Sequence, residues 1–185
     1  MKSVLASVVA LDGSSYRRPG VRMLILENNK MIGAVSGGCV EKKILFQSQS
    51  VFKTGQSKVM TYNGRYRLCC EGILYILIEP FNPNVKFVNA FTNSLDNRET
   101  FELISYYDKR EGVSFDFGSY LKIDNEMFPV DGEHIDNKVN SLSLFEQELP
   151  PCFKLLIIGA ENDAVQLCKY ASLTGWEVTV IAGVV

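Results

Sequence analysis

Histidine is nearly missing from this chain: His134 is the only one in 185 residues. Cysteines number five, an odd count, at positions 39, 69, 70, 152 and 168, and no two form a C-x-x-C pair. Together these shortages leave a zinc site with almost no ligands to draw on. They also argue against a disulfide framework and for an intracellular chain with reduced thiols. Excess charge of one sign is missing too. Nineteen Lys and Arg stand against 21 Asp and Glu, a formal net charge of −2. No broad basic field exists to hold nucleic acid or an anionic membrane. The longest apolar run, Ile73–Ile78, is far short of the ~20 residues that span a bilayer. Val4–Leu11, after Met1-Lys2, is interrupted by Ser7 and ends at Asp12 without a cleavage pattern. It reads as a first strand rather than a signal peptide. The expectation is a cytoplasmic protein.

What is present fits an ordinary globular protein: 46% hydrophobic, 22% charged and 11% aromatic residues. A chain of this length buries roughly 70% of its unfolded surface and fits one domain, or one domain and part of a second. Strands are predicted at Val4–Leu11, Arg22–Glu27 and Met31–Val35, the last two joined by an Asn28-Asn29-Lys30 turn. A helix follows over Val40–Lys53, stopped by Gly55. Further strands are predicted near Lys58–Tyr62 and Ile73–Glu79, a helix over Asn84–Leu95, and strands near Phe101–Tyr107 and Tyr120–Ile123. From Asp124 the sequence turns polar, ending in Pro150-Pro151, the best candidate domain boundary. Lys154–Ile158, Asp163–Leu173 and Glu177–Ile181 then read as strand, helix and strand. The fold class is therefore α/β: a mixed-sheet domain over residues 1–151, then an incomplete strand–helix–strand unit over 152–185. Such a unit cannot bury its own faces, so a homodimer or packing onto the amino-terminal sheet is expected.

Three stretches could carry chemistry. The first is Gly13-Ser14-Ser15-Tyr16-Arg17-Arg18-Pro19-Gly20, directly after the first strand. Two hydroxyls and two guanidinium groups on a loop bounded by glycines suit a phosphate or similar anion; an exposed basic turn is the plainer alternative. The second is Ser36-Gly37-Gly38-Cys39-Val40-Glu41, opening the first helix. Its glycines let successive N–H groups turn inward as an anion nest at a positive helix end. Helix N-termini favour thiolate, so Cys39 is a candidate metal ligand or nucleophile. Glu41 is either part of that site or a cap reaching back to Gly38. The third, Leu68-Cys69-Cys70-Glu71-Gly72, reads as a turn before a core strand, since adjacent cysteines make neither an easy disulfide nor a metal site.

Val8–Gly20 with Arg22-Met23-Leu24-Ile25, followed by Gly33–Glu41, resembles the amino-terminal signature of the XdhC/CoxI family. Cys70 and Glu79-Pro80 resemble its second glycine–cysteine segment and following strand. Leu155–Val180, with Gly159-Ala160 and Gly175-Trp176-Glu177-Val178, resembles the start of its carboxy-terminal Rossmann domain. Roughly Asn82–Phe153 carries no specific motif. The resemblance implies a xanthine dehydrogenase accessory protein, a chaperone that binds molybdenum cofactor (molybdopterin) transiently and helps insert it into a xanthine dehydrogenase-like molybdenum hydroxylase. A cysteine desulfurase is a further implied partner. It also implies that Ser14, Ser15, Arg17, Arg18, Ser36, Gly37, Gly38 and Glu41 bind the cofactor's phosphate and anionic end, with Cys39 as the soft ligand to molybdenum.

The departures matter as well. Gly159-Ala160-Glu161 stands where the dinucleotide fingerprint has its close-approach glycine, and Ile181-Ala182-Gly183 supplies no acid for a ribose hydroxyl. Glu71 likewise replaces a glycine. NAD binding is therefore not expected. The competing readings are a degenerate paralogue with a structural or regulatory role and a nicotinamide-dependent oxidoreductase.

Overall fold

The computed structural model describes residues 2–64, 71–132 and 141–183. Its organising element is β1 (Ser3–Asp12), which is buried on both faces over most of its length. Val4, Ala6 and Val8 enter one core, while Leu5, Val9 and Ala10 enter the cores on the opposite side. A register shift between Val8 and Ala10 lets Val9 and Ala10 share a face, as a β-bulge does. A strand buried on both sides must be central. It lies third in a six-stranded sheet of order β3-β2-β1-β5-β4-β7. Its companions are β2 (Arg22–Leu26), β3 (Met31–Gly33), β4 (Ser57–Asn63), β5 (Ile73–Pro80) and β7 (Gly112–Ser114). Every pairing in this sheet is antiparallel.

Helix α1 (Cys39–Thr54) covers one face. Val40, Glu41, Ile44, Ser48 and Val51 form its buried stripe at helical spacing, and Gly55 ends it in a left-handed conformation. Ile44 packs with Ile25, Ile76 and Ile78, all fully buried, each worth about 1.5–3 kcal/mol of burial. The other face packs on a second antiparallel sheet of order β10-β6-β8-β9. Its strands are β6 (Phe101–Tyr107), β8 (Gly118–Ile123), β9 (Glu126–Pro129) and β10 (Ser143–Leu149). Val9, Leu77 and Val59 meet Tyr107, Phe117 and Phe145 there. Helix α2 (Val85–Asp96) adds Phe87 and Phe91 to a third cluster with Leu5, Phe101 and Leu121. Its N-cap is Asn84, whose side chain accepts from Phe87 N–H at 2.9 Å, one residue before the helix proper.

Between the sheets lies a polar system. Glu79 is wholly buried and accepts from Ser119 N–H and Ser119 Oγ, each at 2.7 Å, and Ser119 Oγ sits 2.8 Å from Ser105 Oγ. Burial pushes the Glu79 carboxyl up to about 7. The Ser119 bonds and the Arg22 charge hold it back, and the Asp131 charge pushes it further up.

One expectation needs correcting. The third strand stops at Gly33 rather than Val35, because Gly33 has φ +83° and the Val35 and Ser36 N–H groups bond a side chain instead of a neighbouring strand. The polar stretch from Asp124 holds two strands, β9 and β10. Both are edge strands, and β10 alternates half-buried Phe145, Gln147 and Leu149 with exposed Leu144, Glu146 and Glu148. An edge strand with one watered face reads as polar sequence. The short β7 gave no sequence signal.

After Pro150-Pro151 come β11 (Lys154–Ile158), α3 (Asn162–Leu173) and β12 (Glu177–Ile181), with β11 and β12 pairing parallel. Arg98 reaches this unit through Glu177 at 2.8 Å and through the Cys152 carbonyl. Much of its apolar surface faces water, with Ile158 79% and Leu173 82% exposed. Among the described residues no helix is long and apolar enough to cross a membrane.

Candidate functional site

The first loop, residues 13–20, is fixed at both ends. At its start, Gly13 (φ +82°) packs on the backbone of Glu71 and Gly72. A Cβ at Gly72 would lie 2.6 Å from the Ser14 carbonyl oxygen, so only glycine permits this approach. At its end, Gly20 N–H donates to the Val8 carbonyl at 2.8 Å. Arg22 Nη1 donates to the Gly20 carbonyl at 2.9 Å and to Gln147 Oε1 on β10. Beneath the loop, Asp12 accepts from Lys109 Nζ and from Tyr75 Oη at 2.9 Å. The Lys109 bond, and then the Tyr75 bond, hold the Asp12 carboxyl below its ordinary range.

The second loop turns on Gly38. Cys39 N–H donates to the Gly37 carbonyl at 2.8 Å, and Gly38 has φ 72° and ψ −55°. This is a γ-turn in the left-handed region, a conformation that favours glycine. Glu41 anchors the same loop: its Oε1 accepts from Val35 N–H at 3.1 Å and Ser36 N–H at 2.5 Å. Glu41 is buried. It therefore clamps the strand-to-helix turn rather than reaching back to Gly38, the alternative the sequence suggested. Its second oxygen is shielded from water and has no hydrogen-bond partner.

The two loops open onto one cleft of about 420 Å³, lined by Ser15, Tyr16, Ser36, Gly37, Cys39, Val40, Tyr62, Gly64, Gly72 and Leu74. Four of the residues singled out in the sequence, Ser15, Ser36, Gly37 and Cys39, thus face one shared space. Ser14 and Arg18 are exposed on the first loop, outside the lining. Arg17 is half-buried with its guanidinium carbon 5.1 Å from the Tyr16 ring centroid. Arg17 Nε is sealed from water without an acceptor. Gly38 and Glu41 shape the second loop from behind. Sequence reasoning missed Tyr16, Val40, Tyr62 and Leu74 as lining residues. Tyr62 and Leu74 are cross-strand partners, a juxtaposition that exists only once β4 and β5 pair. Cys69, Cys70 and His134 lie outside the described residues.

Chemically the cleft offers two hydroxyls, backbone N–H groups beside a helix start, an exposed thiol at Cys39 and two aromatic rings over an apolar floor. Among the described residues no group of three or more His, Cys, Asp and Glu side chains could hold a metal ion. A ligand carrying its own metal ligands, and needing one soft donor from the protein, fits this set.

Residues 2–63 match the model of the XdhC and CoxI family. That segment contains both loops, α1 and Tyr62, hence most of the cleft. Two curated relatives match along nearly the whole chain. One is a probable xanthine dehydrogenase subunit from Bacillus subtilis, 24% identical, with 97% of this chain and 59% of the relative covered. The other is the molybdenum cofactor insertion chaperone PaoD of Escherichia coli, 23% identical, covering 95% and 51%. The chain thus spans little more than half the length of either. A crystal structure of a xanthine dehydrogenase from Bacillus halodurans superimposes with TM-score 0.74 at 22% identity, over 97% of this chain and 58% of that one. This shared fold is mixed α/β, with antiparallel sheets and a parallel strand–helix–strand unit.

The turn before α3 departs from dinucleotide-binding chemistry. Gly159 has φ +136°, and Glu161 Oε2 accepts from Ala160 N–H at 3.0 Å. The chain's own carboxylate occupies the place where an approaching phosphate would seek that N–H.

Proposed function

We propose that this chain is an accessory protein that holds molybdenum cofactor in the 420 Å³ cleft and passes it to a xanthine dehydrogenase-like molybdenum hydroxylase. The observation that carries this reading is the shared cleft: the hydroxyl–arginine loop and the glycine–glycine–cysteine loop line a single space. The names of the relatives from Bacillus subtilis and Escherichia coli support the substrate class. Cys39 would supply the soft ligand to molybdenum. Ser15, Ser36 and the Gly37 backbone would take anionic oxygens, and Arg17 on the same loop as Ser15 would add its charge. Ser14 and Arg18 would meet the phosphate at the mouth, and Gly38 and Glu41 would hold the loop in shape. The molybdenum centre, when bound, is the cargo; the chain binds, orients and releases it.

The same reading assigns residues 1–151 to cofactor binding and 152–185 to a Rossmann-like segment that does not bind NAD, because Glu161 occupies its turn. A homodimer and a cysteine desulfurase partner belong to the same reading. The exposed thiols of Cys39 and Cys152 suit the cytoplasm. Binding of isolated molybdenum cofactor, measured anaerobically by ultrafiltration, tests the proposal. The native chain should retain cofactor and Cys39→Ala should lose it at least about tenfold, the cost of one good ligand or about 1.4 kcal/mol. Equal retention would move the metal end away from Cys39. No retention by the native chain would favour a degenerate relative without cofactor handling.

A further inference from the structure

Arg22 ties the first loop to the second sheet. Its Nη1 donates to the Gly20 carbonyl at 2.9 Å and to Gln147 Oε1 on β10. Gly20 also packs on the Gln147 amide, since a Cβ there would lie 2.5 Å from Gln147 Nε2. Both acceptors are neutral oxygens, although the guanidinium is charged. Its other nitrogen, Nη2, is shielded from water and has no hydrogen-bond partner, and the same holds for Ser7 Oγ. Ser7 and Arg22 are register partners, and Ser7 stands two residues along β1 from Leu5, the register partner of Glu79. Side chains alternate along a strand and register partners share a face, so Ser7, Arg22 and Glu79 all turn toward the second sheet. Glu79 takes one bond per oxygen from Ser119, and a carboxylate has room for about four. The charged groups that act on Glu79 are Arg22 on β2 and Asp131 after β9. Ser7, Ser105, Ser119 and Gln147 are what β1, β6, β8 and β10 turn toward this layer. Lys58 on β4 is level with Ile78 and bonds Gln47 on α1, on the opposite face. Tyr107 on β6 is instead in the field of Lys109 and Asp12.

We infer that Glu79 and Arg22 form a proton-operated latch on the first loop: Arg22 holds Gly20 while Glu79 is protonated, and turns its spare Nη2 to Glu79 when that carboxyl ionises. A carboxylate is a stronger acceptor than a carbonyl or amide oxygen, and a buried charge is costly unless paired. Glu79 passes between the two forms near neutrality, because burial raises its carboxyl to about 7. The latch therefore loosens the loop as pH rises. Ser15 on that loop lines the cleft, so a ligand held by the loop is held less well above neutral pH. The latch does not depend on what that ligand is. Hydrogen exchange of the full chain tests it, read by mass spectrometry at about pH 6 and about pH 8 and corrected for the intrinsic pH dependence of exchange. In the native chain residues 13–22 should lose about tenfold in protection at the higher pH, the worth of one hydrogen bond from a charged group. A low, non-denaturing urea concentration should leave that loss unchanged, because opening one loop exposes little surface. Protection of α1, which opens with the whole fold, should respond to urea. Glu79→Gln should show the higher loop protection at both pH values, and Arg22→Met the lower at both. Circular dichroism checks that Arg22→Met is folded; if it is not, the native chain and Glu79→Gln decide the matter without it. Native loop protection that ignores pH, that falls equally in Glu79→Gln, or that follows urea as α1 does would overturn the latch. So would a folded Arg22→Met whose loop still loses protection as pH rises.

Discussion

Replacing Glu79 by Gln should flatten the protein's stability against pH between about 4.5 and 7. In the native state Glu79 is wholly buried between the two sheets and titrates near 7, against an ordinary value of 4.5. A carboxyl raised on folding contributes stability that is fully present below about pH 4.5. That contribution falls as pH rises, because the unfolded chain releases a proton that the native state retains, and the fall ends near pH 7. At about 1.4 kcal/mol per pH unit, the gap between the two values sets the loss at about 3 kcal/mol. Gln mimics the protonated carboxyl. Its oxygen can accept from Ser119 N–H and its amide can donate to Ser119 Oγ, whose proton then turns to Ser105 Oγ 2.8 Å away. Urea unfolding at a series of pH values from 4 to 8, for native and Glu79→Gln, gives the comparison. The difference between the two chains should shift by about 3 kcal/mol in favour of the variant across the window. A constant difference over that range would show that Glu79 does not carry a raised titration, and the account of the inter-sheet polar system would be wrong.

Two further outcomes concern the second loop. Glu41→Ala should cost about 1–3 kcal/mol by leaving the Val35 and Ser36 N–H groups without their acceptor. It should also change the alkylation rate of Cys39, with Glu41→Gln recovering part of both in urea unfolding and iodoacetamide kinetics. Gly38→Ala should cost about 1–3 kcal/mol from the positive φ alone, since a Cβ there meets nothing within 4 Å. A thermal melt unchanged from native would mean the γ-turn is not needed.

Several elements were legible because local physics decides them. The apolar runs of β1, β5 and β11 and the helical stripe of α1 follow from side-chain period alone. So do the turn at Asn28–Lys30, where Asn29 takes φ 65°, and the Gly55 stop. Both chemical clusters stood out by residue type and spacing. The edge strands β9 and β10 did not, because a strand watered on one face and unpaired along one edge needs no apolar signature. Glu41 was ambiguous: its sequence position allows a cap, and only the folded loop shows it bonding two residues on the strand side.

The three helices, the core strands, the two loops and the residue types that give them their chemistry were therefore readable from the chain alone. They depend on neighbours within a turn or two along it. Long-range packing was needed to make the loops share one cleft, through glycine contacts between Gly13 and Glu71–Gly72 and the pairing of Tyr62 with Leu74. It was also needed for Gln147, on a strand the sequence did not announce, to hold the first loop through Arg22, and for Glu79 to be dry. Those outcomes are set by contacts between residues tens of positions apart, where closing the chain and excluding water, rather than local preference, choose the neighbour.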